Sequence, residues 1–216
     1  MLEHEIDVWA QGFTRVAGVD EAGRGPLAGP VVAAAVVFQR DYAESDGNGD
    51  LEGLNDSKQL SKSRREAFFE ILQNSSCADV GLGCVDSTTI DEINILQATH
   101  QAMTIAVEHL LHAADFAIID GRTMPPLPCP ARAVTRGDQA SLSIAAASVI
   151  AKVTRDRMMV EFDAVYPPYG FARHKGYGSK AHFQALMEHG PTPIHRQSFR
   201  PVRESAEIRS RAAARE

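Results

Sequence analysis

Apolar residues gather into short runs along this chain, and the spacing within each run separates strand from helix. Arg15 to Asp20 and Val31 to Phe38 are almost continuously apolar and are parted by a glycine turn. They read as two buried strands in a hairpin-like return. Ala78–Val85, Phe116–Asp120 and Ala131–Thr135 predict three further strands, the first loosened by two glycines and the last weak. Helical spacing lies between and after them. Ser63 with Glu66 makes a capping box ahead of Phe68, Phe69, Ile71 and Leu72, and Thr89 with Glu92 opens a long helix to about His112. An Ala/Ser-rich helix runs from about Ser143 to Val165, where Tyr166-Pro167-Pro168 ends it, and Lys180–His189 is a short helix stopped by Gly190.

The remainder breaks both periods. Residues 1–13 read as a lead without a partner, prone to fraying. Residues 41–56 hold six acids, three glycines and no base, which marks a solvated loop. Met124 to Pro130 is stiffened by four prolines, Phe171 to Ser179 is a basic glycine-rich loop, and the arginine-rich tail from Arg196 reads as partly disordered. Strands followed by strand–helix alternation predict an α/β fold with a mixed sheet, antiparallel first and parallel later.

Composition narrows the function classes. At 216 residues, 44% hydrophobic and 23% charged, the chain is an ordinary globular protein. No apolar run reaches the roughly 18 residues of a membrane span, and the acidic N-terminus is unlike a secretory signal. Three cysteines with no close pairing read as reduced, so the expected location is cytoplasmic. The net charge of −6 hides an asymmetry. Residues 1–121 carry 7 Lys/Arg against 20 Asp/Glu, residues 122–180 carry 9 against 4, and residues 181–216 carry 6 against 4. A basic second half beside an acidic first half suits a phosphate-facing surface whose acids bind cations.

The chemistry concentrates after the first strand, in Val16-Ala-Gly-Val-Asp20-Glu21-Ala-Gly23-Arg24-Gly25. Two acids end an apolar run and a nearly bare backbone follows, able to approach a ligand closely. Asp120 closes another strand, and Asp138 precedes the long helix. Hard oxygen donors from separate elements suit Mg2+ or Mn2+ shared with substrate phosphates, and no His/Cys cluster with zinc spacing is present. Adjacent strand residues point to opposite faces, so Asp20 and Glu21 converge only if the strand ends or twists between them. Two other classes fit parts of this pattern: a non-catalytic nucleic-acid binding module, and a phosphatase phosphorylated on Asp20. Four acids facing phosphates without metal would repel them, against the first; Ala22 stands where an Asp-x-Asp pair needs its second acid, against the other.

Over about residues 14–203 the chain closely resembles bacterial ribonuclease HII, the type 2 ribonuclease H. The likeness rests on Gly18-Val-Asp-Glu-Ala-Gly-Arg-Gly-Pro-Leu-Ala-Gly29, Asp56-Ser-Lys-Gln-Leu-Ser61, Ile93-Asn-Ile95, Ile119-Asp-Gly121, Arg136-Gly-Asp138, Ala145 to Asp156, and Tyr169 to Tyr177. The resemblance implies a ribonuclease H-like α/β catalytic domain over 14–165, with a mixed five-stranded sheet flanked by helices. A C-terminal loop-and-helix extension over 166–216 would complete the substrate cleft. It also implies a monomeric endoribonuclease, acting through two Mg2+ or Mn2+ ions on the RNA strand of RNA–DNA hybrids. Such an enzyme cuts 5′ of single ribonucleotides in duplex DNA, leaving 3′-hydroxyl and 5′-phosphate ends. By motif position Asp20, Glu21, Asp120 and Asp138 are the metal-binding acids. By the same resemblance Gly23, Arg24 and Gly25 would read the 2′-hydroxyl, and Tyr177 would pack on the next deoxyribose. Lys58, Lys152, Arg155 and Lys175 are candidates for backbone phosphates, Asn94 for the DNA strand or a local cap, and Ser148 for a phosphate or for packing. His174 is the histidine most open to a proton-transfer role. The chain departs from the family in Gly178-Ser179, where many members carry proline and threonine, and in the length of its acidic insert around 41–53.

Overall fold

The computed structural model describes residues 1–213. In chain order the elements are α1 (Glu3–Ala10), β1 (Val16–Ala22), β2 (Val31–Phe38), α2 (Arg40–Glu44), α3 (Lys62–Asn74), β3 (Ala78–Val85) and α4 (Ser87–Glu108). Then come β4 (Phe116–Asp120), β5 (Ala131–Val134), α5 (Leu142–Val165), α6 (Phe171–His174), α7 (Lys180–His189) and α8 (Arg200–Ala213), with 3-10 turns at Gly47–Gly49, Gly137–Gln139 and Pro167–Tyr169. Two compact units are formed, each from separated stretches. The first comprises Met1–Ala22, Val32–Cys84 and Thr99–Val153, and the second Gly23–Val31, Val85–Ala98 and Thr154–Glu216.

The first unit is built on a five-stranded sheet of order β3-β2-β1-β4-β5. β1 pairs antiparallel with β2 and parallel with β4, and β4 pairs parallel with β5. All eight residues of β2 are buried, as its uninterrupted apolar sequence requires. Val16, Ala34, Val36 and Ile118 share a core with Ala145, Ala146, Ala147, Val149 and Ile150 of α5. Each fully buried Val or Ile there stabilises the unit by roughly 1.5–3 kcal/mol. The small residues let helix and sheet come close. A Cβ on Gly18 would lie 2.2 Å from the Ser143 carbonyl carbon, so any side chain at this point of β1 would push α5 away.

The second unit has a smaller core of Leu27, Ala28, Met159, Tyr169, Phe171, Ala185, Leu186 and Val202. An isolated bridge between Ala28 and His195 ties the segment after Gly23 to the segment before α8.

Several local expectations are corrected. The lead forms α1, whose buried Glu5 accepts hydrogen bonds from the Ser141 hydroxyl and from the Ser143 amide and hydroxyl. An anion there satisfies orphan donors at the start of α5, which anchors the lead. α3 is capped by Ser61, which accepts from the Arg64 amide, rather than by Ser63. α4 starts earlier than Thr89, with Asp86 accepting from the Thr89 amide. The acidic stretch 41–56 is not a solvated loop throughout: Leu51, Leu54 and Asp56 are buried. The basic loop holds the short helix α6, and the arginine tail folds as α8 through Ala213. The partial disorder expected of the tail from Arg196 is corrected as far as Ala213, and the part of that expectation that falls on residues 214–216 lies outside the described residues.

Candidate active site

Strand register assembles the acids. Val19 pairs with Ile119 across the parallel β1–β4 ladder, so Asp20 and Asp120, one step further, project from the same face. Asp138 arrives from the 3-10 turn after β5, where Arg136 adopts a left-handed conformation with φ 58°. The Gly137 amide donates to Asp120 Oδ1 at 2.6 Å, fastening that turn to the end of β4. One carboxylate oxygen each from Asp20, Asp120 and Asp138 lies within 4.8 Å of the others.

Three like charges this close, with Asp20 and Asp138 buried, cannot all ionise without cost. Burial, then the charges of Glu21 and Asp120, hold the Asp20 carboxyl well above its ordinary range. Hydrogen bonds from the Glu21 amide, at 2.7 Å, and from the Ser148 hydroxyl oppose this only in part. Asp138 is pushed up to about 6 by burial and by the charges of Asp120 and Asp56. Lys58 acts the other way, while a hydrogen bond with Asp56 favours the protonated form of Asp138. The donor set fits a hard divalent cation, which would replace the protons and relieve the repulsion.

Glu21 is not one of the converging three. It is the next residue of β1, which continues to Ala22, and its charge helps to raise the pKa of Asp20. Ser148 takes neither expected role alone. It is buried, hydrogen-bonded to the Ser57 hydroxyl at 2.8 Å, and bonds to the Asp20 carboxylate. Lys58 is exposed near Asp138, and Lys152 is half-buried on α5. Asn94 kinks α4 with φ 68°, and its side-chain oxygen accepts from the Leu96 and Gln97 amides, a local cap.

The glycine turn belongs to the second unit. Gly23 sits at φ +99°, and a Cβ on it would fall 2.1 Å from Arg155 Nε and 2.7 Å from the Pro30 carbonyl. Only glycine is compatible with that conformation and space. Arg24 and Gly25 are exposed, and the Cβ position of Gly25 lies 3.6 Å from Tyr177 Cε1. The turn and the tyrosine, 152 positions apart in sequence, are therefore neighbours. Arg155 is buried and donates to the carbonyls of Pro30, Ala28 and Lys175, which removes it from the phosphate candidates. His174 donates from Nε2 to the Tyr169 carbonyl and accepts the Gly176 amide at Nδ1, so both ring nitrogens hold backbone.

Sequence reasoning missed Asp56, which looked like one more acid in an acidic stretch, although Leu54 just before it is the apolar signal of a buried approach. It also missed Arg196, whose guanidinium is wholly buried against the glycine turn. No local pattern marks that residue, because every carbonyl its guanidinium donates to lies more than 160 positions away.

Carboxylates converging from adjacent parallel strands and the turn after β5 form a site for a divalent cation, and the class of protein that carries it is a metal-dependent ribonuclease. A sequence model of the family described as Ribonuclease HII matches residues 17–202. Ribonuclease HII of Bacillus pumilus (strain SAFR-032) is 52% identical over 203 residues, covering 94% of this chain and 76% of that protein. The crystal structure of ribonuclease H2 from Pyrococcus horikoshii OT3 superposes with a TM-score of 0.72 at 28% identity, covering 90% of this chain and 98% of the other. Bst-RNase HIII in complex with Mn2+ has the same fold, with a TM-score of 0.69 at 15% identity over 91% of this chain and 70% of that one. The chain belongs to the ribonuclease HII family, and it is a metal-dependent ribonuclease H. No helix among the described residues is long and apolar enough to cross a membrane.

Proposed function

We propose that this protein hydrolyses the RNA strand of RNA–DNA hybrids and incises duplex DNA 5′ of a single ribonucleotide, leaving 3′-hydroxyl and 5′-phosphate ends. The observation that carries the reading is the closeness of Gly25 to Tyr177, a bare peptide near an exposed aromatic ring, in a turn that begins two residues after the Asp20-Glu21 pair. A 2′-hydroxyl donates and accepts, so the outward peptide groups of exposed Arg24 and Gly25 can recognise it where no side chain intervenes. The Tyr177 ring then offers a flat apolar face to the adjoining sugar, a contact that a second 2′-hydroxyl would disturb.

Asp20, Asp120 and Asp138, with Glu21 beside Asp20, would hold the metal. Two Mg2+ or Mn2+ ions bound there would supply an activated water and neutralise charge at the leaving oxygen. The protein's own residues do the rest. The Glu21 amide and the Ser148 hydroxyl orient Asp20, Gly137 orients Asp120, and Asp56 accepts a hydrogen bond from the carboxyl of Asp138 when Asp138 is protonated. Lys58, Lys152 and the basic α7 start at Lys180 are cations for substrate phosphates. The test is cleavage of a duplex with one ribonucleotide, in Mg2+, in Mn2+ and in excess EDTA. Products of one defined cut in either metal support the reading, and equal cleavage in EDTA would sink it. Loss of cleavage on the single-ribonucleotide duplex alone, with hybrid cleavage intact, would restrict the function to hybrids.

A further inference from the structure

Two adjacent residues, His195 and Arg196, each reach one of the two elements assigned above to sugar recognition. Arg196 is fully buried, and its Nε, Nη1 and Nη2 donate to the carbonyls of Gly29, Arg24, Pro26, Gly23 and Pro30 at 2.5–3.2 Å. Its acceptors are neutral peptides, which leaves the buried charge uncompensated by any carboxylate in hydrogen-bond contact among the described residues. Burial, followed by the nearby charge of Arg155, lowers its pKa to about 9. Such a cation is costly to bury, and the number of its bonds offsets the cost, helped by the charge of Asp91 and the Phe199 ring 5.1 Å from its Cζ. Five N–H donors in a rigid fork gather five carbonyls of one turn inward. That leaves the opposite edge of the Arg24–Gly25 peptides facing outward.

His195 works on the other element. The Thr192 amide donates to His195 Nδ1 at 2.9 Å, which fixes the His195 proton on Nε2. His195 Nε2–H must then donate to His182 Nε2, at 2.9 Å, and His182 Nδ1–H donates to the Tyr177 carbonyl at 3.0 Å. The direction of every bond in this chain is forced, and it terminates on the backbone of Tyr177. Both imidazoles are buried, and burial lowers the pKa of each, His195 to about 3, so both stay neutral and the chain keeps its direction at physiological pH. Backbone bonds finish the strut: Arg196 N–H to the Leu27 carbonyl, Gly29 N–H to the Ile194 carbonyl, and Leu27 N–H to the Gly176 carbonyl.

We infer that the Thr192–Arg196 segment is the positioning strut of the sugar reader: Arg196 sets the turn that meets the 2′-hydroxyl, and His195 acts through His182 to set Tyr177. This rests on the reading of those elements under the proposed function. The two arms separate by substrate, and ratios between substrates do not depend on the fraction of folded enzyme.

Arg196→Lys keeps the charge but loses the fork. It should lower kcat/KM about 10–100-fold on both an all-RNA hybrid and a single-ribonucleotide duplex. His182→Phe keeps ring volume but removes the donor to Tyr177. It should reduce the single-ribonucleotide to hybrid ratio about 10-fold. His182→Asn, which offers an amide donor near the Nδ1 position, should restore most of that ratio. A merely structural role would give no change in ratio and no rescue by asparagine. If Tyr177→Ala leaves the ratio unchanged, the reading of the tyrosine fails. If Tyr177→Ala collapses the ratio while His182→Phe does not, or if Arg196→Lys has wild-type kcat/KM on both substrates, the strut is overturned.

Discussion

Two buried concentrations of charge sit in this molecule, and they are satisfied in opposite ways. Asp20, Asp120 and Asp138 hold like charges within 4.8 Å, and their amide and hydroxyl donors do not cancel the repulsion. Arg196 has the like charge of Arg155 near it, yet five carbonyl groups surround its guanidinium. The arginine is complete within the protein. The acids are complete only with protons or with a cation from outside, which is how a binding site differs from a structural knot. Removing charge should therefore have opposite consequences at the two places.

The largest expected effect is on catalysis. Asp120→Asn preserves shape and can still accept from the Gly137 amide, but withdraws a charge that metal requires. Cleavage of an RNA–DNA hybrid in saturating Mg2+ should fall about 1,000-fold or more. Circular dichroism should be unchanged, and the metal-free protein should not melt earlier than wild type. Activity within tenfold of wild type would mean that the three acids are not the metal site.

The glycine turn sharpens the contrast between a place built for the fold and a place built for the ligand. A Cβ at Gly25 would make only ordinary contact, 3.6 Å from Tyr177, so Gly25→Ala should fold normally. Its methyl would occupy space that a ribose needs, and kcat/KM on a single-ribonucleotide duplex should drop about tenfold or more. Gly23→Ala is the control, because its Cβ would strike Arg155 at a φ of +99° and the cost should appear in thermal stability. Equal losses of stability in both variants would remove the distinction.

What could be read from the chain, and what could not, follows the range of the interactions. β2 and β4 were legible because buried strands show as unbroken apolar runs, and Asp20 and Asp120 were legible because they end such runs. The family motifs supplied Asp138, which sits in a 3-10 turn without any periodicity of its own. Helix starts were misjudged by a few residues, since Ser61 and Ser63 are equally good caps on paper and only the chain path decides. Glu5, Asp56 and Arg196 were invisible for one shared reason. Each is a buried charged residue that bonds a group far away in sequence, Asp56 through Asp138 besides its local amide partners, and local composition assigns all three to the surface. Glu21 lies within a strand that runs two residues further than expected, and its charge helps to raise the pKa of Asp20.

The smallest effect, and the one that tests the comparison most directly, is on stability against pH. In the metal-free protein Asp138 titrates at about 6, against an ordinary 3.8. The folded state therefore binds more protons than the unfolded state between those values. Stability is highest below about pH 4 as far as this group is concerned, and it declines as pH rises through about 6. Asp138→Asn carries no titrating charge and can still bond Asp56. In EDTA at pH 7.5 it should melt about 5 °C above wild type, with the difference vanishing near pH 4. Saturating Mn2+ should reverse the order, because only the wild type gains from bound metal. Arg196→Met should do the opposite at every pH in this range, melting about 10 °C lower, because it takes the donors from five carbonyls, most of them bonded to Arg196 in buried hydrogen bonds. Parallel pH curves for wild type and Asp138→Asn would show that the acid cluster is as satisfied as the arginine, and the distinction between the two buried charges would collapse.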